Sequence, residues 1–102
     1  MRPVELKRKM DRREDVILID VREPFEYELA HIPGSRLIPM REIERRLNEI
    51  DPSKEVVVHC HHGARSAQVA HFLRTRGYQR VYNLTGGIAA WSEEVDPSIP
   101  LY

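Results

Sequence analysis

The chain has 102 residues, of which 41% are hydrophobic and 31% are charged. This length fits one compact domain and leaves no room for a second, and the composition is that of a globular chain rather than a disordered one. The basic and acidic residues balance at 16 each, which argues against a protein whose main ligand is a polyanion such as nucleic acid. Because no apolar stretch approaches the roughly 18 residues that span a bilayer, we expect a cytoplasmic protein without membrane contact.

Apolar runs and helical periodicity alternate along the chain. Pro3 and the residues after it predict a short surface helix, and the continuous apolar run 16–19, which ends in Asp20, is typical of a strand buried on both faces. Further helices are predicted over 24–29, 41–48, 66–76 and 88–94, and further strands near 37–38, 56–58 and 81–84. This alternation indicates an open α/β domain with helices on both faces of a mainly parallel sheet. Residues 96–102 contain two prolines and predict an extended tail.

Cys60 is the only cysteine, and it lies between the apolar run 56–58 and the next predicted helix. In open α/β sheets, ligands bind outside the carboxyl ends of the strands, so this position suits a functional group. Residues 61–64 must bend back sharply, and Gly63 permits a backbone in which successive N–H groups converge on one anion. The positive end of the helix dipole and the permanent charge of Arg65 add to that field. We therefore predict a nucleophilic thiolate at Cys60, with its pKa below that of a free cysteine.

The same loop has the character needed to hold an anionic sulfur donor and the outer sulfur of a persulfide formed on Cys60. A single cysteine forms no internal disulfide, whether as a structural bond or to resolve such a persulfide. The sulfur must therefore leave to an external acceptor.

Four segments resemble, in order, the four signature blocks of the single-domain rhodaneses, the thiosulfate sulfurtransferase family. The segments are 19–23, 31–35, 58–65 and 84–91, within a resemblance that covers 4–95. The resemblance implies one rhodanese-like domain over residues 1–102, with a five-stranded, mainly parallel sheet flanked by helices on both faces. It implies a sulfurtransferase that needs no cofactor. Its partners would be a small thiosulfate-like or persulfide donor, a thiol or other sulfur acceptor and, in a sulfur relay, a protein.

The resemblance also implies roles for individual residues. Cys60 would be the persulfide carrier, and Arg65 would help bind the donor. The substrate-binding set would be His61, His62, Gly63, Ala64 and Arg65. Asp20 and Arg22 would support the site indirectly by tying the first strand to the loop after His31, and Ser66, next to the loop, is the third supporting residue.

Two other functions are weighed against sulfur transfer. Protein phosphatases built on the rhodanese fold place one more residue between cysteine and arginine than the four found here between Cys60 and Arg65. The shorter loop favours a sulfur atom over a tetrahedral phosphate and equally disfavours arsenate reduction, although His59 before Cys60 is a phosphatase-like feature. A non-catalytic interaction or sulfur-sensing module is a further alternative, against which the intact cysteine argues.

Three histidines lie next to the cysteine, at His59, His61 and His62. Consecutive residues cannot all point at one ion, and no CxxC pair completes a tetrahedral set, so we expect no metal. We expect His61 and His62 at the rim of the pocket, where they either influence the thiolate pKa, donate a proton or simply face solvent. The pair Gly86 and Gly87 indicates a close approach of the last helix to the loop.

Overall fold

The computed structural model describes residues 1–100 of the chain. Its strands are β1 (Val16–Asp20), β2 (Arg36–Leu37), β3 (Glu55–His59) and β4 (Val81–Asn83). Its α-helices are α1 (Pro3–Asp11), α2 (Pro24–Leu29), α3 (Ala64–Thr75) and α4 (Gly87–Glu94), and 3₁₀ helices cover Met40–Glu42 and Leu47–Glu49. In this part of the chain, none of the helices combines the length and apolar character needed to cross a membrane.

The strands form a parallel sheet in the order β2-β1-β3-β4. β3 lies inside the sheet, between β1 and β4. Every one of its residues is buried, as expected for a strand that is covered on both faces. Val58 contributes to the core cluster that contains Val69 of α3, whereas Val57 belongs to the cluster that contains Trp91 of α4. Helices therefore cover both faces of the sheet, which confirms the predicted open α/β architecture.

The expected fifth strand is not found within residues 1–100, where the sheet has four strands. That expectation came from the family resemblance, whereas the apolar runs themselves predict four. The segment before β1 is helical because Pro3 occupies the first turn of α1 and the Arg2 N–H donates to the Glu5 carboxylate at its start. Within the described residues, the segment before β1 therefore contributes a helix and no strand.

The helix predicted over 41–48 is also wrong, since this segment forms two separate 3₁₀ turns joined by non-helical turn residues. The Tyr78 hydroxyl lies 2.9 Å from the carbonyl oxygen of Leu47 and 2.7 Å from that of Ile50. The hydroxyl has one hydrogen and donates to one of these carbonyls at a time, while the Leu47 carbonyl also accepts the Ile50 N–H at 3.0 Å. The carbonyls at the end of this segment are therefore satisfied without a continuing helix.

The predicted extended tail differs from the structure where the structure describes it. The Ile99 N–H donates to the Asp96 carbonyl at 3.1 Å, closing a turn, and Ile99 is buried in the cluster around Trp91. The Ser92 hydroxyl donates to the Ile99 carbonyl, which holds the turn against α4. Burial of an isoleucine therefore outweighs the extended preference of the two prolines. The remainder of the predicted tail, residues 101–102, lies outside the described residues.

A buried ion pair closes the carboxyl end of β1. Arg22 donates from Nε to Asp20 Oδ1 at 2.9 Å and from Nη2 to Asp20 Oδ2 at 2.6 Å, and both side chains are fully buried. Nη2 also donates to the carbonyl of Ala30 at 2.6 Å. The pair thus joins β1 to the chain that leads into the loop after His31, and its support of the functional site stays a prediction.

Replacement of Asp20 by asparagine should lower the free energy of unfolding by about 3–5 kcal/mol, because it leaves the Arg22 charge buried without its counter-ion. Urea unfolding followed by the fluorescence of the single tryptophan measures this loss. Asp11→Asn is the control, since Asp11 pairs with Lys7 at the surface and should contribute less than about 1 kcal/mol. Equal losses in the two variants would contradict the assigned role of the buried pair.

Candidate active site

The sulfur of Cys60 lies in a cradle of hydrogen-bond donors directly after β3. The N–H groups of Gly63 and Ser66 lie 3.1 and 3.4 Å from Sγ, and the Ser66 hydroxyl lies 3.3 Å from it. Gly63 has φ +118°, a left-handed conformation that a side chain would strain, and it forms the N-cap of α3. The turn at Gly63 therefore brings the first N–H groups of the helix to the sulfur, as the loop sequence predicts.

Two opposing effects act on the pKa of Cys60. Burial raises the pKa of the thiol, but hydrogen bonds from the Ser66 hydroxyl and from the N–H groups of Ser66, Gly63 and Arg65 outweigh it. The net pKa of Cys60 is therefore below its ordinary value. These donors are the unsatisfied N–H groups of a helix start, where the helix dipole also favours an anion. The site favours the thiolate despite being buried.

The Arg65 side chain makes a two-pronged ion pair with Glu26 of α2. Nη1 lies 2.7 Å from Oε1 and Nη2 lies 3.0 Å from Oε2. The Glu26 carboxylate is buried, with 9% of the side chain exposed, while 36% of the Arg65 side chain is exposed. The guanidinium charge is thus paired with the Glu26 carboxylate. The backbone N–H of Arg65, by contrast, lowers the pKa of Cys60.

Asn83, the last residue of β4, holds the cradle from the neighbouring strand. Its Nδ2 donates to the Gly63 carbonyl at 3.1 Å, and its Oδ1 lies 2.5 Å from the Ser66 hydroxyl oxygen. Because the Ser66 hydroxyl has one hydrogen, it donates at any moment to only one of Asn83 Oδ1, the Cys60 sulfur and the Gly63 carbonyl, which lies 3.3 Å away. Asn83 therefore positions the Gly63 peptide and competes for the proton that would stabilise the thiolate.

Helix α4 touches the loop from the other side. The N–H groups of Ile88 and Ala89 donate to the carbonyls of Cys60 and His61 at 2.9 and 3.2 Å. A Cβ added to Gly87 would lie 2.5 Å from the Cys60 carbonyl oxygen and 2.4 Å from that of His61. The close approach indicated by the glycine pair is therefore real. The start of α4 thus binds two carbonyls of the loop, whereas N–H groups of the loop point toward the sulfur.

His61 and His62 lie at the outer part of the loop with their rings stacked, 4.2 Å apart between centroids. Burial, followed by the proximity of His62, lowers the pKa of His61 below its ordinary value. His61 is therefore mostly neutral at neutral pH. Ala64, the remaining member of the predicted binding set, is exposed as the first residue of α3.

His59, by contrast, belongs to the interior. It is fully buried, its Nε2 lies 3.8 Å from Asp20 Oδ2, and burial lowers its pKa to about 4. It is therefore neutral at physiological pH and does not share the rim with His61 and His62. Among residues 1–100, no three histidine, cysteine, aspartate or glutamate side chains are grouped so that they could hold a metal ion.

The fold and the site together define an open α/β protein with a stabilised thiolate at the carboxyl end of its central strand. The family model for the rhodanese-like domain matches residues 2–94. This chain therefore belongs to the rhodanese-like domain family.

Individual proteins resemble the chain to different extents. A sulfurtransferase from Allochromatium vinosum is 40% identical over 94 residues, which cover 92% of this chain and 88% of that protein. The chloroplastic rhodanese-like/PpiC domain-containing protein 12 of Arabidopsis thaliana is 48% identical over 89 residues, 83% of this chain, but the chain spans only 30% of that protein's length. The crystal structure of a rhodanese-related protein from Thermoplasma volcanium superimposes with a TM-score of 0.85 at 31% identity, covering 100% of this chain and 97% of that one.

Ser66→Ala should raise the pKa of Cys60, because it removes a hydrogen bond to a charged group that contributes about 1.5–3 kcal/mol, which corresponds to a roughly tenfold to hundredfold change in the ratio of thiolate to thiol. Since the thiolate is the reactive form, the alkylation rate at neutral pH should fall and its pH midpoint should move upward. The rate of alkylation by iodoacetamide, measured across the pH range, gives that midpoint. Ser53→Ala, which removes an exposed hydroxyl bound to Asp51, should leave it unchanged. An unmoved midpoint in Ser66→Ala would disprove the role given to this hydroxyl.

Gly87→Ala should lower the free energy of unfolding by about 3 kcal/mol and slow the alkylation of Cys60, because the new methyl group overlaps two loop carbonyls. Gly77→Ala is the matched control, since Gly77 also has a positive φ, +91°, but no atom lies within 4 Å of an added Cβ. That control should lose only about 1–2 kcal/mol, the cost of the left-handed backbone, and keep its alkylation rate. Similar alkylation rates in the two variants would contradict the proposed contact between α4 and the loop.

Proposed function

We propose that this protein is a sulfurtransferase that carries sulfane sulfur as a persulfide on Cys60. The observation that carries the proposal is the set of N–H groups and the hydroxyl that converge on the sulfur of the only cysteine. Membership in the rhodanese-like family supports it. So does the relative from Allochromatium vinosum that is named a sulfurtransferase and that the chain covers almost completely.

The reaction would proceed in two transfers. In the first, the Cys60 thiolate attacks the outer sulfur of a donor, a new S–S bond forms, and the donor's own bond to that sulfur breaks. The leaving group departs with the electron pair, as sulfite from thiosulfate or as a thiolate from an organic persulfide. In the second, an acceptor thiolate or other nucleophile attacks the outer sulfur and restores the Cys60 thiolate. Such covalent catalysis gives ping-pong kinetics.

The cradle suits both stages of this cycle. Its donors are backbone N–H groups and one hydroxyl, held in place by α4 and by Asn83, so a field that favours negative charge at the reacting sulfur exists before the donor arrives. The donor-binding part of the proposal comprises His61, His62, Gly63, Ala64 and Arg65, with Asp20, Arg22 and Ser66 as supporting residues. The S–S bonds hold all the electrons required, so no cofactor enters the scheme. A cytoplasmic location and a single domain over residues 1–102 remain parts of the proposal.

Incubation of the reduced protein with thiosulfate or with an organic persulfide should add the mass of one sulfur atom. The adduct should be absent from Cys60→Ser and should be removed by cyanide, because cyanide attacks the outer sulfur of a persulfide. Intact-protein mass spectrometry before and after cyanide treatment measures both properties. If neither donor produces a cyanide-labile adduct, the protein does not act through sulfur transfer.

The same protein should release no phenol from an aryl phosphate and should not reduce arsenate. The reason is the spacing of four residues between Cys60 and Arg65, which leaves the loop short for a tetrahedral phosphate or arsenate bonded to the Cys60 sulfur, whereas sulfur transfer leaves only one sulfur atom bonded there. Turnover of either compound at a rate above that of Cys60→Ser would favour the alternative functions over the proposed one.

A further inference from the structure

The ion pair between Glu26 and Arg65 is built more firmly than a pair of surface charges. Two parallel N–H to carboxylate contacts join the side chains, and the carboxylate is almost fully buried. Glu26 Oε1 also accepts the N–H of Glu23 at 3.0 Å, so a hydrogen bond at the start of its own helix holds the carboxylate in place as well. The guanidinium is thereby held by an acceptor that belongs to the protein.

The Glu26–Arg65 pair places two opposite charges beside the loop that holds Cys60. Arg65 is the one permanent cation of the loop 60–66, and Glu26 carries the opposite charge. Both charges act on the ring of His61, so they lie within electrostatic reach of the rim. Arg22, whose charge also acts on that ring, is itself paired with Asp20. Among residues 1–100, each of these arginine charges is therefore matched by a carboxylate, and the sulfur is stabilised by neutral donors, which are the Ser66 hydroxyl and N–H groups.

The two donor classes differ in the charge that they would bring beside the Cys60 thiolate. Thiosulfate is a dianion at neutral pH, and it would need the positive charge that Glu26 now neutralises. A small organic persulfide whose carrier group is uncharged brings at most a single negative charge, located on its terminal sulfur. A dianion also experiences the repulsion of the Glu26 carboxylate more strongly than a monoanion does.

We propose that Glu26 is a specificity-determining residue which, by holding Arg65, selects small organic persulfides over dianionic donors for the loading of Cys60. This inference rests on the proposed function, since it concerns the first transfer of the sulfurtransferase cycle. In that step R–S–S⁻ and the Cys60 thiolate give the Cys60 persulfide anion and R–S⁻. One S–S bond forms and one breaks, the departing thiolate takes the electron pair, and the total charge is unchanged. No oxidant or reductant is required.

The test compares loading of Cys60 by thiosulfate and by hydroxyethyl persulfide, whose carrier group is uncharged. Second-order rate constants come from the time course of the mass increase, and the readout is the ratio of the thiosulfate constant to the persulfide constant. Because each ratio is compared with that of the wild type, the intrinsic reactivities of the two donors cancel. Glu26→Gln should raise the ratio by about tenfold or more, since it removes the carboxylate that neutralises the Arg65 guanidinium and repels the dianion.

Three further variants make this result specific. Glu28→Gln removes a charge from an exposed position on the same helix and should leave the ratio unchanged. Arg65→Gln leaves the carboxylate without its counter-charge and should lower the ratio by about tenfold, which tests the inference independently if Glu26→Gln folds poorly. The double variant, Glu26→Gln with Arg65→Gln, should lose the gain of the first substitution. Circular dichroism confirms the fold of each variant.

The outcomes separate this inference from the function on which it rests. Loading of Cys60 by neither donor in the wild type would refute sulfur transfer itself. Loading by both donors with the same ratio in wild type and Glu26→Gln would leave sulfur transfer intact and overturn the role of Glu26. The same change of ratio in Glu28→Gln, or a gain that persists in the double variant, would also overturn it. An unchanged ratio in Arg65→Gln would do so as well.

Discussion

The structure depends on the stabilisation of a buried negative charge on the Cys60 sulfur. An unpaired charge in this position would cost several kcal/mol, and donors must meet it for the thiolate to exist at all. The donors are backbone N–H groups that helix α3 leaves unsatisfied at its start, together with the Ser66 hydroxyl. The turn at Gly63 serves this requirement with a left-handed backbone, φ +118°, that would strain a residue with a side chain. The contact of α4 serves it at Gly87, where an added Cβ would overlap the carbonyls of Cys60 and His61.

The order of the strands explains which residues reach the cradle. β3 has β1 on one side and β4 on the other, and all carboxyl ends of the parallel strands meet at one edge. The segment that follows β1 therefore places Glu26 beside Arg65, and the end of β4 places Asn83 beside the Gly63 carbonyl. The central strand gains supporting contacts from two neighbours, which an edge strand such as β2 could not obtain. The position of Cys60 after the central strand is thus a condition for its chemistry.

The parts of the fold that were predictable from the sequence are those determined by local pattern. The apolar runs of β1 and β3, the turn at Gly63 and the glycine pair before α4 each carry a local signal with a direct physical meaning. Glu26 and Asn83 were missed because their contacts cross the sheet and depend on strand order, and a lone acid on a short helix gives no signal of its partner. The wrong helix over 41–48 has a similar origin, since the Tyr78 hydroxyl, from a distant part of the chain, bonds at the carbonyls of Leu47 and Ile50 where this segment ends.

Arg65 shows how tertiary structure changes the meaning of a correctly identified motif. The loop sequence indicates a permanent positive charge beside the thiolate. In the structure that charge, on Arg65, is paired with the Glu26 carboxylate, and the thiolate is stabilised by backbone N–H groups and the Ser66 hydroxyl. Neutral amides stabilise a sulfur anion without attracting every anion in solution, because their field is short in range and fixed in direction. A charged pair beside them can then respond to the total charge of an incoming molecule. This arrangement separates the stabilisation of sulfur from the choice of its donor, so that substitution of Glu26 or Arg65 can alter one without abolishing the other.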